Sequence, residues 1–254
     1  MQKYLEKISV LCFVMTLLLS CKTQHDNAKS DIKIDEIEYH DMVRNRIIPL
    51  AIYHPKNIEK SNKTPIIFSH GWGENKGGDN KVYSYLTEFL ASKNYTVFSI
   101  QHELPTDEML AMDGNLRETR LPNWQRGADN ILYVLNQIKK EYPNYDYIKL
   151  IVIGHSNGGD MSVLFAHEHP DLVNKLISMD NRRMELPRTS KPKIYSLRSN
   201  DYPADPGVLP TDEELKKFHI TIDWTNVNHS NMDDDASPKE REYMTQKILD
   251  YIKN

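Results

Sequence analysis

The chain has 254 residues, of which 39% are hydrophobic and 27% are charged, and 32 basic against 36 acidic side chains give a formal net charge of −4. This length suffices for one sizeable core, and no run of about 18 apolar residues exists, which excludes a protein with several membrane spans. The slightly acidic balance argues against nucleic-acid binding, and two cysteines cannot build a disulfide scaffold.

The first 20 residues have the pattern of an export signal. Lys3 and Lys7 precede the apolar segment Ile8–Leu19, which is too short to span a bilayer. The following Leu-Leu-Ser-Cys resembles a bacterial lipobox, and an ordinary secretory signal is the alternative. The resemblance implies removal of residues 1–20 and a lipid anchor on Cys21 that holds the protein at a membrane face of the bacterial cell envelope, periplasmic or outer-membrane. Polar residues 21–31 then form a flexible tether.

From residue 32 onward, strand patterns alternate with helix patterns. An antiparallel hairpin is predicted over residues 32–40 and 45–53. Further strands are predicted at 65–69, 95–101, 148–153, 176–179, 193–197 and 220–224. Helices are predicted at 81–93, 124–140, 160–167 and after the capping box at 237–240. The alternation predicts one α/β domain over residues 32–254, with a mostly parallel sheet and helices on both faces.

The segment Gly154–Gly159, with the sequence GHSNGG, fits the pattern G-x-S-x-G. A nucleophilic serine needs a sharp turn between a strand and a helix to project its Oγ above the sheet, and flanking glycines allow the close backbone approach. Here the pattern directly follows a buried strand and leads into a helical stretch. Ser156 is therefore the predicted nucleophile, and a glycine-rich structural turn is the alternative.

The chain resembles the α/β-hydrolase superfamily, and more narrowly the branch of platelet-activating-factor acetylhydrolases and dienelactone-hydrolase-like proteins. The resemblance rests on Phe68–Gly73 (FSHGWG), on Gly154–Gly159, on a histidine after the last strand, and on the hairpin residues 44–49 and 53–55. It extends over roughly residues 40–254, and it implies an α/β-hydrolase fold with a Ser-His-Asp triad.

Two backbone N–H groups are expected to form the oxyanion hole. One belongs to Asn157, the residue after the nucleophile. The resemblance places the other on Trp72, in the loop after the strand at 65–69. The alternative is that this loop only shapes a tight turn and that Trp72 anchors the core.

The general base has one good candidate among ten histidines. The order of a triad on this fold is serine, acid, histidine, and His229 lies in a loop after the last predicted strand. A surface-loop histidine is the alternative interpretation.

The sequence leaves three candidates for the acid of the triad. Asp180 ends the strand at 176–179, where the acetylhydrolase-like branch carries its acid. Asp201 follows the next strand, where many other α/β-hydrolases carry theirs, and Asp205 is a third candidate in the same loop. Asp180 is narrowly favoured, although turn chemistry would explain Asp201 and Asp205 and an ion pair with Arg182 or Arg183 would explain Asp180.

These residues predict a serine ester hydrolase that acts by two-step acyl transfer. Eleven residues between Asp180 and Pro192 leave no room for a large cap domain, so short acyl or acetyl esters, small or presented on a glycan or lipid, are the expected substrates. The polar segment Glu103–Arg120 is expected to form a partial rim. No cofactor or metal is expected, because the sequence has no phosphate-binding G-x-x-x-x-G-K loop and no cysteine and histidine residues at zinc spacing, and because Asp233–Asp235 lacks the spacing of a calcium loop. The alternatives are a serine peptidase on the same fold and a non-catalytic binding lipoprotein.

Overall fold

The structure is a computed structural model that describes residues 31–254. The predicted signal segment, Cys21 and residues 21–30 of the predicted tether lie outside the described residues. The strands are β1 (Ile32–Asp41), β2 (Arg46–Pro55), β3 (Pro65–Ser69), β4 (Thr96–Ile100), β5 (Ile151–His155), β6 (Lys175–Met179), β7 (Lys193–Arg198) and β8 (Thr221–Trp224). The α-helices are α1 (Ser84–Ser92), α2 (Leu116–Thr119), α3 (Leu121–Glu141), α4 (Ser156–Glu168), α5 (Asp212–Phe218) and α6 (Pro238–Lys253).

The strands form one eight-stranded sheet in the order β1-β2-β4-β3-β5-β6-β7-β8. The β1–β2 and β2–β4 pairs are antiparallel, and all later pairs are parallel. Strands β3 to β6 are buried along their whole length, as expected for parallel strands that are covered on both faces. The predicted fold class is therefore confirmed.

Helices cover both faces of this sheet. Leu86 of α1 and Ile248 of α6 belong to the core on one face, and Ile131 of α3 and Val163 of α4 belong to the core on the other. Each of these four side chains is fully buried, and burial of a side chain of this size contributes about 1.5–3 kcal/mol. The two cores hold the central strands rigidly between them.

The register of the parallel strands brings their carboxyl ends together. Gly154 of β5 lies opposite Ser69 of β3 and Ser178 of β6, and Met179 lies opposite Leu197 of β7. The residues that follow these strands therefore meet at one edge of the sheet, where ligands bind in open α/β sheets.

The predicted elements are present, with shifts at their ends. The hairpin strands each run on by one or two residues, to Asp41 and Pro55. The helix predicted from residue 81 begins at Ser84, because Asp79–Lys81 form a separate 3-10 turn. Strand β5 begins at Ile151, three residues later than predicted, because the residues before it form another 3-10 turn.

Two helices were not predicted. Helix α5 begins with a capping box in which Thr211 accepts the Glu214 N–H and Glu214 accepts the Thr211 N–H. This signal was available in the sequence. Helix α2 is a single turn capped by Asn115 inside the segment that was predicted to be irregular.

The sheet edge that carries the nucleophile is open. Residues 180–192, which join β6 to β7, contain no helix or strand, so no large cap domain is inserted there. Over residues 31–254, none of the helices combines the length and the hydrophobicity needed to cross a membrane.

Candidate active site

Ser156 lies at the sharp turn between β5 and α4. Its φ angle of 51° is in the left-handed region, which is strained for a residue with a side chain. The turn is so tight that a Cβ atom added at Gly158 would overlap the carbonyl oxygens of Ser69 and His70. The glycine after the serine thus lets the start of α4 approach the end of β3, as the G-x-S-x-G pattern predicts.

A hydrogen-bond chain joins three side chains from different parts of the sequence. His229 Nε2 lies 2.9 Å from Ser156 Oγ, and His229 Nδ1 lies 2.6 Å from Asp180 Oδ2. The carboxylate can only accept, so Nδ1 carries the proton and Nε2 is free to accept the hydroxyl proton of the serine. His229 begins a 3-10 turn after β8.

Asp180 is completely buried and also has a positive φ angle, 56°. Its Oδ1 accepts the Ser199 N–H at 3.1 Å, and its Oδ2 accepts the Ser199 hydroxyl at 2.6 Å. The Arg198 guanidinium Nη2 lies 3.0 Å from Oδ1, at an angle outside hydrogen-bond geometry, so this contact is an ion pair. Burial alone would raise the pKa of Asp180, but the His229 hydrogen bond, the Arg198 charge and the Ser199 hydroxyl together hold it below its usual value.

The other candidate acids do not contact the imidazole ring. Asp201 Oδ1 accepts the main-chain N–H of His229 at 2.9 Å. Asp205 lies 3.9 Å from Arg183 Nε. The structure thus places Asp180 on the ring of His229 and leaves Asp201 beside its backbone. The ion-pair partner of Asp180 is Arg198, and not Arg182 or Arg183 as the sequence suggested.

The loop that carries Trp72 is fixed by hydrogen bonds from the core. Tyr83 Oη accepts the Gly71 N–H at 2.9 Å and lies 2.7 Å from His155 Nδ1. Burial and the nearby His229 lower the pKa of His155 to about 3, so its ring is neutral and accepts the tyrosine proton. Trp72 lines the same cavity as Ser156 and Asn157. The Asn157 N–H lies in the first turn of α4, where N–H groups have no intrahelical acceptor.

A buried polar network lies behind Asn157, and no local sequence pattern indicates it. Asn157 Nδ2 donates to Glu103 Oε1 at 2.9 Å, and Trp124 Nε1 donates to Asn157 Oδ1 at 2.8 Å. Glu103 is only 1% exposed, and burial raises the pKa of its carboxyl. This network fixes the side chain of Asn157 and with it the start of α4.

A cavity of about 660 Å³ opens above Ser156 and His229. The predicted rim segment supplies an apolar wall of Leu110, Met112 and Leu116. A larger cleft, of about 800 Å³, lies beside the β1–β2 hairpin and is lined by none of the three side chains of the hydrogen-bond chain. The cavity above Ser156 is therefore the candidate active site.

No cluster of three or more histidine, cysteine, aspartate or glutamate side chains suited to a metal ion occurs in the part of the chain that the structure describes. Within the acidic run 233–235, Asp234 accepts the N–H groups of Ser84 and Tyr85 at 3.0 Å each. Asp234 therefore complements the N-terminus of α1.

The sheet order, the strand-to-helix turn at Ser156 and the placement of His229 and Asp180 after strands define the α/β-hydrolase fold. The sequence profile of a family described as serine aminopeptidase, S33, matches residues 60–179, somewhat less than half of the chain. A comparison with curated protein sequences finds no significant match.

Solved structures resemble this chain closely in fold and distantly in sequence. The esterase Est22 has 13% identity and a TM-score of 0.66, with 98% of this chain and 89% of that chain covered. An esterase from Rhizomucor miehei has 16% identity and a TM-score of 0.61, with 88% and 82% covered. A Klebsiella pneumoniae protein described as a dienelactone hydrolase has 15% identity and a TM-score of 0.58, with 88% and 99% covered. At these identities, the comparisons show the α/β-hydrolase fold.

Proposed function

We propose that this protein is a serine hydrolase that cleaves carboxylic esters through Ser156, His229 and Asp180. One observation carries the proposal: the unbroken hydrogen-bond chain from Asp180 through His229 to a serine on a strained turn, with an open cavity above it. A purely structural role for this chain would not need a left-handed serine, whose strain costs of order 1–3 kcal/mol.

In the first step, Ser156 Oγ attacks the ester carbonyl carbon while His229 Nε2 takes the hydroxyl proton. The ionised Asp180 stabilises the resulting imidazolium. Negative charge moves to the former carbonyl oxygen, and the N–H groups of Trp72 and Asn157 are the proposed donors to it, each worth about 3 kcal/mol. The imidazolium then protonates the leaving alcohol, and water attacks the acyl-serine in a second round of the same proton transfers.

Short acyl or acetyl esters are the proposed substrates. The absence of a large insertion at residues 180–192 leaves the cavity open, so one side of a larger molecule can extend into solvent while its ester reaches Ser156. A serine peptidase is the second candidate, because the family profile that matches residues 60–179 is described as an aminopeptidase.

The decisive experiment measures initial rates on 4-nitrophenyl esters from acetyl to decanoyl, using the chain from residue 22. We expect turnover that falls beyond short acyl groups and is abolished by Ser156→Ala. Ser230→Ala is the matched control, because Ser230 lines the same cavity but its hydroxyl donates to Asn231 Oδ1 at 3.4 Å and takes no part in the hydrogen-bond chain of Ser156, His229 and Asp180. A parallel panel of aminoacyl 4-nitroanilides tests the peptidase, which would favour the amides.

A folded protein that neither cleaves any ester or amide nor reacts with a fluorophosphonate would contradict the serine-hydrolase proposal. That result would favour the binding lipoprotein.

We also propose that Cys21 carries a lipid anchor at a membrane face of the bacterial cell envelope. The Leu-Leu-Ser-Cys sequence after an apolar segment supports this. In a bacterial host supplied with an alkyne-labelled fatty acid, the full chain should become labelled and the Cys21→Ser variant should not. Equal labelling of both, or of neither, would refute the anchor.

A further inference from the structure

Three arginines form one wall of the cavity above Ser156. Arg120, Arg182 and Arg183 line it together with a single acidic residue, Asp201. The carboxylate of Asp201 is bonded to the main-chain N–H of His229. Such an excess of positive charge is unexpected in a pocket for neutral esters, because like charges in a partly enclosed site repel each other.

The guanidinium groups of this arginine wall have few partners in the protein. Over residues 31–254, the Arg183 guanidinium donates no hydrogen bond, and its buried Nε has only the Asp205 carboxylate nearby, at the long ion-pair distance of 3.9 Å. Arg182 uses only Nε, which donates to the Pro203 carbonyl oxygen. Arg120 uses Nε on the Ala111 carbonyl oxygen, with a contact from Nη2 to the Met112 sulfur.

Arginines with a structural role in this protein are bonded differently. Arg46 donates to both carboxylate oxygens of Asp107 and to the His102 carbonyl oxygen. Arg188 donates to three carbonyl oxygens of its own loops, those of Leu186, Gly207 and Val208. A guanidinium carries five N–H donors in a fixed fork, so most donors of the arginine wall make no hydrogen bond within residues 31–254.

The arginine wall lies close to the reacting centre. The Arg182 guanidinium carbon lies 3.3 Å above the centre of the Tyr202 ring, and that ring lies 4.6 Å from the ring of His229. Beneath the wall, the buried Asp160 accepts the main-chain N–H groups of Arg183 and Met184. Asp160 thus holds the loop in place without a hydrogen bond to a guanidinium.

We propose that the substrate is an anionic ester, with a carboxylate or phosphate group that the arginine wall binds while Leu110, Met112 and Leu116 contact its apolar part. This inference rests on the proposed ester hydrolysis. Guanidinium groups bind both anions through paired, charge-assisted hydrogen bonds. The anion therefore positions the ester over Ser156, and its loss should raise KM and lower kcat/KM.

The test compares aryl acetates that differ in the charge of the para substituent: 4-acetoxybenzoate, 4-acetoxyphenyl phosphate and the neutral 4-acetoxybenzamide, each rate being divided by its rate of hydrolysis in buffer to remove the effect of the leaving group. A second pair, the mono-4-nitrophenyl ester of adipic acid and 4-nitrophenyl hexanoate, places the charge on the acyl side. We expect kcat/KM to favour the anionic member of at least one set by about tenfold or more. The carboxylate and phosphate members distinguish the two kinds of anion.

Arg182→Gln and Arg183→Gln should each remove most of that preference, measured as the ratio of kcat/KM for the anionic ester to kcat/KM for its neutral counterpart. Lys216→Gln, which removes one positive charge from an exposed position on α5, is the control and should change nothing. Arg183→Lys keeps the charge and loses the fork, so it should retain part of the preference. Thermal unfolding of each variant shows whether it is folded.

A binding measurement separates this inference from the proposed function. Calorimetry of adipate and inorganic phosphate with the Ser156→Ala protein should show binding that weakens with salt and is lost in the two glutamine variants. Ester turnover without a preference for anionic esters, together with no anion binding, would contradict the proposed anionic substrate and would still support ester hydrolysis. Arginine-dependent anion binding without any serine-dependent turnover would support the anion site and contradict the proposed ester hydrolysis.

Discussion

Replacement of Arg198 with methionine is expected to destabilise the fold by about 3 kcal/mol. Arg198 is completely buried, its Nη2 lies 3.0 Å from Asp180 Oδ1, and its Nη1 donates to the Asn181 carbonyl oxygen at 2.5 Å. Removal of one partner from a buried ion pair costs about 3–5 kcal/mol. We take the lower end, because Asp180 keeps its hydrogen bonds from Ser199 and His229.

The loss in the free energy of unfolding of Arg198→Met can be measured by urea unfolding at pH 7 with an intrinsic fluorescence signal. For a domain of this size it corresponds to a melting temperature lower by about 6 to 12 °C. The double variant Arg198→Met/Asp180→Asn should be clearly more stable than the sum of the two single changes predicts, because both changes remove the same ion pair.

The pH dependence gives a further check on this pair. The pKa of Asp180 is lowered in the fold, so the stability that its charge provides is complete above the ordinary aspartate pKa and is lost as the pH falls through the native value. The difference between Arg198→Met and the parent should therefore shrink below about pH 4. A loss under 1 kcal/mol at pH 7, or strictly additive effects in the double variant, would refute the reasoning.

Three other substitutions test the surroundings of the site. Burial raises the pKa of Glu103 above its ordinary 4.5, so the native state holds this proton longer and stability falls as the pH rises above that value. Glu103→Gln should remove this fall, which urea unfolding from pH 4 to 8 would detect. Ser199→Ala removes the hydroxyl that donates to Asp180, and should lower kcat/KM by about tenfold with the fold intact. Ser237→Ala breaks the capping box of α6 and should cost about 1 kcal/mol in thermal unfolding.

The Ser199 and Ser237 changes each have a matched control variant, and the Glu103 change has an outcome that would contradict it. Ser199→Thr keeps the hydroxyl and should restore most of the rate, whereas equal losses in both variants would point to packing. Ser237→Asp keeps a capping oxygen and should be close to the parent in stability. An unchanged dependence of stability on pH in Glu103→Gln would show that the Glu103 carboxyl ionises in the fold as freely as in the unfolded chain.

Local sequence patterns were enough to predict the fold class and the position of the strained turn. The requirement for glycine around Ser156 is a short-range steric condition, so it is visible in six consecutive residues. The capping boxes before α5 and α6 are equally local, although only the second was recognised. The shifted starts of α1 and β5 reflect 3-10 turns that hydrophobic periodicity does not distinguish from the neighbouring elements.

The sequence by itself determined that one α/β domain carries a serine on a tight turn with a histidine downstream, because both follow from local patterns and chain order. Only the tertiary structure decided which aspartate meets that histidine. Asp180 and Asp201 follow adjacent parallel strands, so both come close to His229, and the left-handed backbone at Asp180 accompanies the approach of its carboxylate to the ring. The arginine wall likewise joins residues more than 60 positions apart, which no pattern along the chain could bring together.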